Sequence, residues 1–377
     1  MKNIAVFFGG KSCEHDISII TGVLTLNSID KTKFNVVPVY VHGNGNFYTG
    51  NLLFNVSNYK NLDVKKLKKV TFLIGSDILY EVRKNKHKKL YKIDCGVNCL
   101  HGLNGEDGTL SGYLKLCNVP LASPNLFASS FSMDKDFTKI VLSGLNVEKL
   151  PYVRLHRSSF YLKRNTAIKM IEKKFKYPVI IKPCSLGSSI GISTAKNKQE
   201  LENALILAFN YDVKVIVEKA LENFKEINCS AYKTGESIIV SSCEEPILAS
   251  EILTFNDKYL GSKTGSNKNF PADIPSEISS KIQSITEKIY RKCDFLGVIR
   301  IDFLVSNGKV YVNEINTVPG SLSYYLHCKT LKEFTNLLTN LISEGIKEFN
   351  EENSRNYVFN SSVLSQDCLN NTKGKML

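Results

Sequence analysis

The chain has 377 residues, 43% hydrophobic and 23% charged, with a formal net charge of +13. That length exceeds one ordinary core and predicts two or three domains; the composition is that of a soluble globular protein, and no apolar run approaches the ~18 residues of a membrane span. Ten cysteines are scattered without a C-x-x-C pair, which argues against zinc; with a start too short in apolar residues for a signal-peptide core, they read as reduced thiols of a cytoplasmic protein.

"NIAVFFGG" is an apolar strand ending in a glycine turn. "EHDISIITGVLTLNSI" follows with helical spacing at Ile17, Ile20, Val23, Leu24 and Leu26, and "FNVVPVYV" is a second strand. Strand, turn, helix and strand in that order make a parallel α/β unit. Lysines crowd residues 60–92, as in "DVKKLKKV" and "EVRKNKHKKLYK". No nucleic-acid motif or aromatic interleaving accompanies them, so they predict a solvated insertion rather than an RNA surface. "CGVNCLHG" is a further strand ending at glycine. Ligands of such sheets sit at the carboxyl ends of strands, where both "GGKSCEHD" and "HGLNGEDG" fall. Gly10-Lys11-Ser12 is not a phosphate loop, because the Walker pattern needs glycine where Ala5 stands. Glu14 in this turn can hold an ammonium group or simply favour the helix macrodipole.

From Ser123-Pro124 the character changes. "SPNLFASSFSMDKDFTKIVLSGLN" predicts a helix in two pieces, carrying Lys135. After it come "YVRLH", a helix near 163–175, the strand "YPVIIKP", and a helix near 197–209. "KPCSLGSSIG" supplies Lys182 and a serine- and glycine-rich loop whose N–H groups can close on phosphates, or form an ordinary turn. A β-rich stretch begins at "KVIVEKAL" and continues through "EINCSAYKT" and "ESIIVSS". "SEISSKIQSITEKIYRKCD" and "KEFTNLLTNLISEGIKEF" are amphipathic helices, and a polar tail follows Glu351.

The hairpin "RIDFLVSNGKVYVNEIN" at 300–316 carries Arg300, Asp302, Glu314 and Asn316 among apolar residues. Carboxylate and amide oxygens are hard ligands suited to Mg²⁺, which also takes substrate phosphates; a wet face of ordinary polar residues is the plainer reading. A two-residue Asn307-Gly308 turn puts Asp302 and Glu314 on opposite faces. A metal site therefore predicts the three-residue loop Ser306–Gly308, which restores one face.

"GGKSCEHDIS", "HGLNGEDGTLSG", "MDKDFTK", "KPCSLGSSIG", "VEKAL…E", "DKYL" and "RIDF…NEINTVPGS" occur in one order between residue 3 and about 345. Together they resemble the D-alanine–D-alanine ligase family. The resemblance implies an α/β ATP-grasp fold with an N-terminal parallel α/β domain. It divides the chain into a substrate-binding domain at 1–123, a central subdomain at 124–217, a metal-bearing subdomain at 218–350 and a tail at 351–377. It implies ATP-dependent ligation of two D-alanines through an acyl phosphate for peptidoglycan precursors, with two Mg²⁺ ions (or Mn²⁺). D-serine, D-lactate or another second substrate is the alternative. Lys135 and Lys182 would hold ATP phosphates, Lys258 the γ-phosphate, Glu218, Lys219 and Leu221 the adenine, and Glu226 the ribose. Asp302, Glu314 and Asn316 would bind the metals, Glu14 the first ammonium, and Arg300 and Gly320 the oxyanion. Ser188 and Tyr259 would join Glu14 in closing a lid, and His101 would lie beside the first substrate. "SLSYYL" departs from the small-hydroxyl run of the family, placing Tyr324 and Tyr325 at the second substrate. The resemblance also implies a cytoplasmic homodimer working on D-amino acids and ATP, without nucleic acid or membrane.

Overall fold

The computed structural model describes residues 1–84, 86–246 and 268–359. The first sheet holds β1 (Lys2–Gly9), β2 (Phe34–Val41), β3 (Phe47–Thr49), β4 (Lys68–Phe72), β5 (Ile78–Arg83), β6 (Lys86–Lys92) and β7 (Cys95–Asn98) in the order β6-β5-β4-β3-β2-β1-β7. β1 lies parallel to both β2 and β7, so its carboxyl end and that of β7 open at the same edge. The helix α1 (His15–Ser28) packs on β1. Its buried face differs from the expected apolar stripe: Ile20 is 51% exposed, while Ser18, Thr21 and Thr25 are buried. These hydroxyls have partners, since Ser18 Oγ accepts from Gly9 N at 2.7 Å and donates to the Cys99 carbonyl at 2.6 Å. The helix thus turns a polar row toward the strand ends.

The lysine-rich stretch is folded as well as solvated. It builds the antiparallel strands β4, β5 and β6 that extend the sheet, with lysine side chains such as Lys86, Lys88 and Lys89 exposed on the edge strand. The expected two-piece helix is α3 (Leu126–Met133) and α4 (Lys135–Gly144), following α2 (Thr109–Leu116). The break has a cause: Asp134 accepts from Asp136 N and Phe137 N and caps α4, which delivers Lys135 at the first helical position.

Two four-stranded sheets follow. One has the order β10-β9-β11-β8, from β8 (Tyr152–His156), β9 (Val179–Pro183), β10 (Ser193–Ala195) and β11 (Lys214–Lys219). The helices Arg164–Lys174 and Lys198–Tyr211 cover it through Ile168, Ile171, Leu201 and Leu205. The other has the order β13-β12-β16-β17, from β12 (Lys225–Thr234), β13 (Ser237–Val240), β16 (Val298–Ser306) and β17 (Lys309–Asn316). A small ladder joins β14 (Glu245–Pro246) to β15 (Lys268–Asn269). The helix Leu331–Asn353 returns to the first sheet, packing Phe334, Leu337 and Leu341 into the core with Ile4, Val6 and Phe8. Among the described residues no helix is long and apolar enough to cross a membrane.

The β16–β17 hairpin corrects the expected loop. Ser306 pairs with Lys309 across a two-residue turn, with Asn307 and Gly308 at φ 50° and 72°, as the twist of a tight hairpin requires. The change of face comes from a bulge inside the strand. Phe303 pairs with Val312, but Asp302 pairs with Glu314. Asn313 is the extra residue, and it brings both carboxylates to one face.

Candidate active site

Asp302 is fully buried on β16. Arg300, two residues earlier on the same face, grips it through Nε to Oδ1 at 2.7 Å and Nη2 to Oδ2 at 2.8 Å. Asn316 donates its amide to Oδ2 at 3.1 Å, which turns the amide oxygen away from Asp302. Lys135 Nζ lies 3.5 Å from Glu314 Oε2 and donates to the Leu186 carbonyl at 2.7 Å. The bulged Asn313 accepts from Lys182 Nζ at 3.0 Å. One short strand therefore addresses both cations and the Asp302 pair.

Lys182 also lies 2.7 Å from Glu218 Oε2, and Lys139 pairs with the other oxygen of that carboxylate. Burial alone would raise Glu218, but the charges of Lys182 and then Lys139 outweigh it and hold the carboxyl at about 2. Glu218 stays anionic between two buried ammonium groups. Of its expected companions, Lys219 is exposed, while Leu221 and Glu226 are half-buried. Lys139, the last residue of "MDKDFTK", was not among the sequence candidates.

At the ends of β1 and β7 a second group gathers. Glu14 precedes α1, is 6% exposed, and receives a hydrogen bond from Ser188 Oγ across 174 residues of chain. Gly187 makes this approach possible: a Cβ there would lie 3.2 Å from both Glu14 oxygens. Ser188 and Ser189 hold left-handed backbones, φ 51° and 58°, a local cost that recurs at functional loops. His101 is buried, and burial followed by the Arg300 charge lowers it to about 4. It is therefore neutral near pH 7. Thr21 Oγ1 lies 3.0 Å from His101 Nε2 and accepts from Ser321 N at 3.0 Å.

Thr21 and Glu106 are functional neighbours that motif matching missed. Glu106 accepts from Gly102 N at 2.8 Å and from Val318 N at 3.3 Å, tying the β7 loop to the loop after β17. Burial and the Glu14 charge push its carboxyl up to about 8. Glu106 stands in plain sight within "HGLNGEDG". The signal for Thr21 was the spacing of polar residues at 18, 21 and 25, the helical period written in hydroxyls.

The segment after Gly320 is unusual. Ser321, Leu322 and Ser323 have φ of 52°, 51° and 48°. This left-handed run throws the adjacent tyrosines to different sides. Tyr324 stacks on Phe334 with centroids 4.8 Å apart, in the core. Tyr325 lies among Arg300, Glu244 and Asp302, with Lys268 Nζ 4.1 Å from its ring centroid. Lys258 and Tyr259 fall outside the described residues.

Among the described residues no three His, Cys, Asp or Glu side chains gather as a metal cluster. The candidate donors are two carboxylates and one amide oxygen. Such a set of hard oxygens fits Mg²⁺, which keeps several waters and takes the rest of its shell from substrate phosphates.

The chain matches the D-ala D-ala ligase N-terminus family over residues 3–124 and the D-ala D-ala ligase C-terminus family over residues 141–345. It is 38% identical over 360 residues to the D-alanine–D-alanine ligase of Thermosipho melanesiensis, covering 93% of this chain and 96% of that protein. Among solved structures it is similar to D-alanine–D-alanine ligase from Helicobacter pylori, with a TM-score of 0.74 at 28% identity over 91% of this chain and 98% of that one. It is also similar to VanG D-Ala:D-Ser ligase from Enterococcus faecalis, with a TM-score of 0.76 at 29% identity over 91% and 99%. With the two halves matched in order and the ATP-grasp sheets in place, the chain belongs to the D-alanine–D-alanine ligase family.

Proposed function

We propose that this protein joins two D-alanines into D-alanyl-D-alanine for peptidoglycan precursors, using ATP. The observation that carries the reading is the convergence on the bulged hairpin: Lys135 from the start of α4 and Lys182 from β9 meet Glu314 and Asn313, beside the Arg300–Asp302 pair. Lys135 and Lys182 hold ATP phosphates, and Lys258 assists at the γ-phosphate. Glu218, Lys219 and Leu221 line the adenine, with Glu226 on the ribose. Asp302, Glu314 and Asn316 would hold two Mg²⁺ ions, or Mn²⁺, which when bound neutralise phosphate charge.

Glu14 takes the ammonium of the first D-alanine, and neutral His101 lies beside it. Its carboxylate oxygen attacks the γ-phosphorus, ADP leaves, and an acyl phosphate forms. The amine of the second amino acid then attacks the acyl carbon, losing a proton, and phosphate departs. Arg300 and the Gly320 N–H face the charge on the tetrahedral oxygen. Glu14, Ser188 and Tyr259 close the site against water, which would hydrolyse the intermediate. The reading includes the four-part division of the chain at 123, 217 and 350, a homodimer and a cytoplasmic location.

Tyr325, beside Arg300, favours a second reading of the acceptor as D-serine, D-lactate or a related acid. The test incubates the protein with ATP, Mg²⁺ and each D-amino or D-hydroxy acid, identifying products by mass and counting phosphate released. Equal yields of phosphate and D-alanyl-D-alanine are expected. Phosphate release indifferent to D-alanine would defeat the ligase reading. A mixed product with D-alanine present would move the acceptor assignment alone. Glu314→Gln should lose at least a hundredfold in turnover with the fold intact; near-normal turnover would remove Glu314 from the site.

A further inference from the structure

Cys229 lies on β12, and Cys243 lies on the returning strand that leads into β14. Asn228 and Glu244 pair antiparallel, exchanging N–H···O bonds of 2.8 and 2.9 Å. Two residues on, the Ser241 N–H donates to the Ser230 carbonyl at 2.9 Å and Ala231 pairs with Val240. The returning segment therefore carries one extra residue, a bulge that sets Ser242 and Cys243 together against Cys229. Cys229 and Cys243 share one buried cluster, and the Cys229 thiol interacts with the Cys243 sulfur, the neighbourhood that a disulfide, with its Cα separation of roughly 4.4–6.8 Å, requires. We propose that Cys229 and Cys243 are a dithiol modification site, which a peroxide oxidises to a cross-strand disulfide.

The two sulfurs stand in unequal surroundings. Cys243 sits against the first turn of the helix Ser276–Lys292, with Ser279 Oγ donating to its sulfur at 3.5 Å. The positive end of a helix favours thiolate. The Cys229 thiol and the Ser279 hydroxyl bring Cys243 down to about 7 despite burial, while Cys229 is raised. Cys293, at the opposite end of the same helix, is pushed up to about 11 by burial and the charge of Asp294. Cys243 is thus the attacking sulfur and Cys229 the resolving one.

The Cys243 thiolate attacks one peroxide oxygen. An S–O bond forms, the O–O bond breaks, and hydroxide leaves, giving a sulfenic acid. The Cys229 sulfur then attacks the sulfenic sulfur, and the departing hydroxyl takes the Cys229 proton as water. Two thiols are oxidised and one peroxide is reduced to two waters. Both sulfurs are buried, Cys243 at 2% exposure. Beyond Cys243 the far side is held by the two-residue ladder of β14 and β15 and by the Ala272 N–H on the Cys243 carbonyl at 2.8 Å, so a small local opening admits the oxidant. On the opposite face of β12, Asn228 lies across from Asp302, and Glu244 holds Lys268 at 3.1 Å. The bond would staple the strand that carries these contacts to β12.

The test treats the intact protein with hydrogen peroxide, quenches with acid and an alkylating agent, and digests it with trypsin. The expected product is peptide 226–233 linked to peptide 234–258, an intact mass lower by two hydrogens, and full reversal by dithiothreitol. In Cys229→Ala the link cannot form, and Cys243 should instead be trapped as a sulfenic acid by a 1,3-dione. Recovery of Cys229 and Cys243 as alkylated thiols, at a peroxide dose that oxidises exposed Cys13, would overturn the proposal. So would a link from Cys243 to any other cysteine. Neither result touches ligase activity, so failure here is distinct from failure of the ligase reading.

Discussion

Tyr324 and Tyr325 are neighbours with opposite duties, and the left-handed run at 321–323 separates them. Tyr324 is a packing residue on Phe334. Tyr324→Ala should cost about 2 kcal/mol, below the usual range for a fully buried ring because Tyr324 is only partly buried, with the ranking of second substrates unchanged. Tyr325→Ser should shift that ranking and leave the KM for ATP within about twofold, because a site built to hydrogen-bond its substrate discriminates through those groups. Parent-like ranking in both variants would place the acceptor pocket elsewhere. His101 supports a pH prediction with a definite sign. Burial lowers it from 6.5 to about 4, so the unfolded chain binds more protons between these values. The stability that neutral His101 contributes is complete above pH 6.5 and is lost as pH drops toward 4, by up to about 3 kcal/mol, while Glu106, raised from 4.5 to about 8, titrates in the opposite sense. His101→Gln should flatten that part of a urea-denaturation series between pH 7 and 4. An unchanged slope would mean that another group carries the acid sensitivity.

The bulge at Asn313 makes one strand into a site. Deleting Asn313 should restore plain pairing through the hairpin with Asp302 still opposite Glu314 and Ile301 still opposite Ile315. It removes the Lys182 contact and the local bend of the bulge, whereas Asn313→Ala removes the contact alone. Both should retain measurable turnover, the deletion the less. Loss of all turnover in the deletion with Asn313→Ala active would mean that the bend of the strand is itself required for catalysis. The hairpin strands, their turn and their polar residues were legible in the sequence, and so was the need for Asp302 and Glu314 to share a face. The means was not. A bulge leaves no local mark when the side chain that profits, Asn313, meets its partner 131 residues away. α1 shows the same limit from the other side. Counting apolar residues assigned Ile20 to the core, yet the buried row includes Ser18, Thr21 and Thr25, whose partners come from β1, β7 and the loop after β17. Motif order singled out Glu14, Lys135 and Lys182, which sit at or next to element ends, and Ser188, in the loop between β9 and β10. Lys139 went unnoticed because its place is defined by the Glu218 carboxylate, and Glu106 because it binds backbone N–H groups of two loops far apart in the chain.

The whole molecule carries its excess charge away from its chemistry. The site draws on the ends of β1, β7 and β9 and on the hairpin, whereas the lysines of 65–92 lie on β4, β6 and the turn before them. β6 is the edge of the first sheet, and residues 86–89 are exposed on both of its faces. An edge strand presents unpaired backbone groups to other chains, and lysine is a common guard against that. The charge then serves solubility rather than substrate capture. Replacing Lys65, Lys66, Lys68 and Lys69 by Gln removes four charges from a net +13 and should leave kcat within about twofold. A large loss would mean that the field of this region draws anionic substrate inward, and its salt dependence would reveal it. Replacing Lys86, Lys88 and Lys89 by Thr should also spare kcat, since those side chains touch no site residue. The difference should appear in association. With Lys92 its one remaining lysine, β6 becomes a strand of good β-formers with a barer edge, and light scattering should rise with protein concentration where the parent stays constant. Equal scattering from both proteins would mean that backbone twist at the β5–β6 register shift near Leu79 already protects the edge. The lysines would then be neutral passengers on a strand that needs no guard.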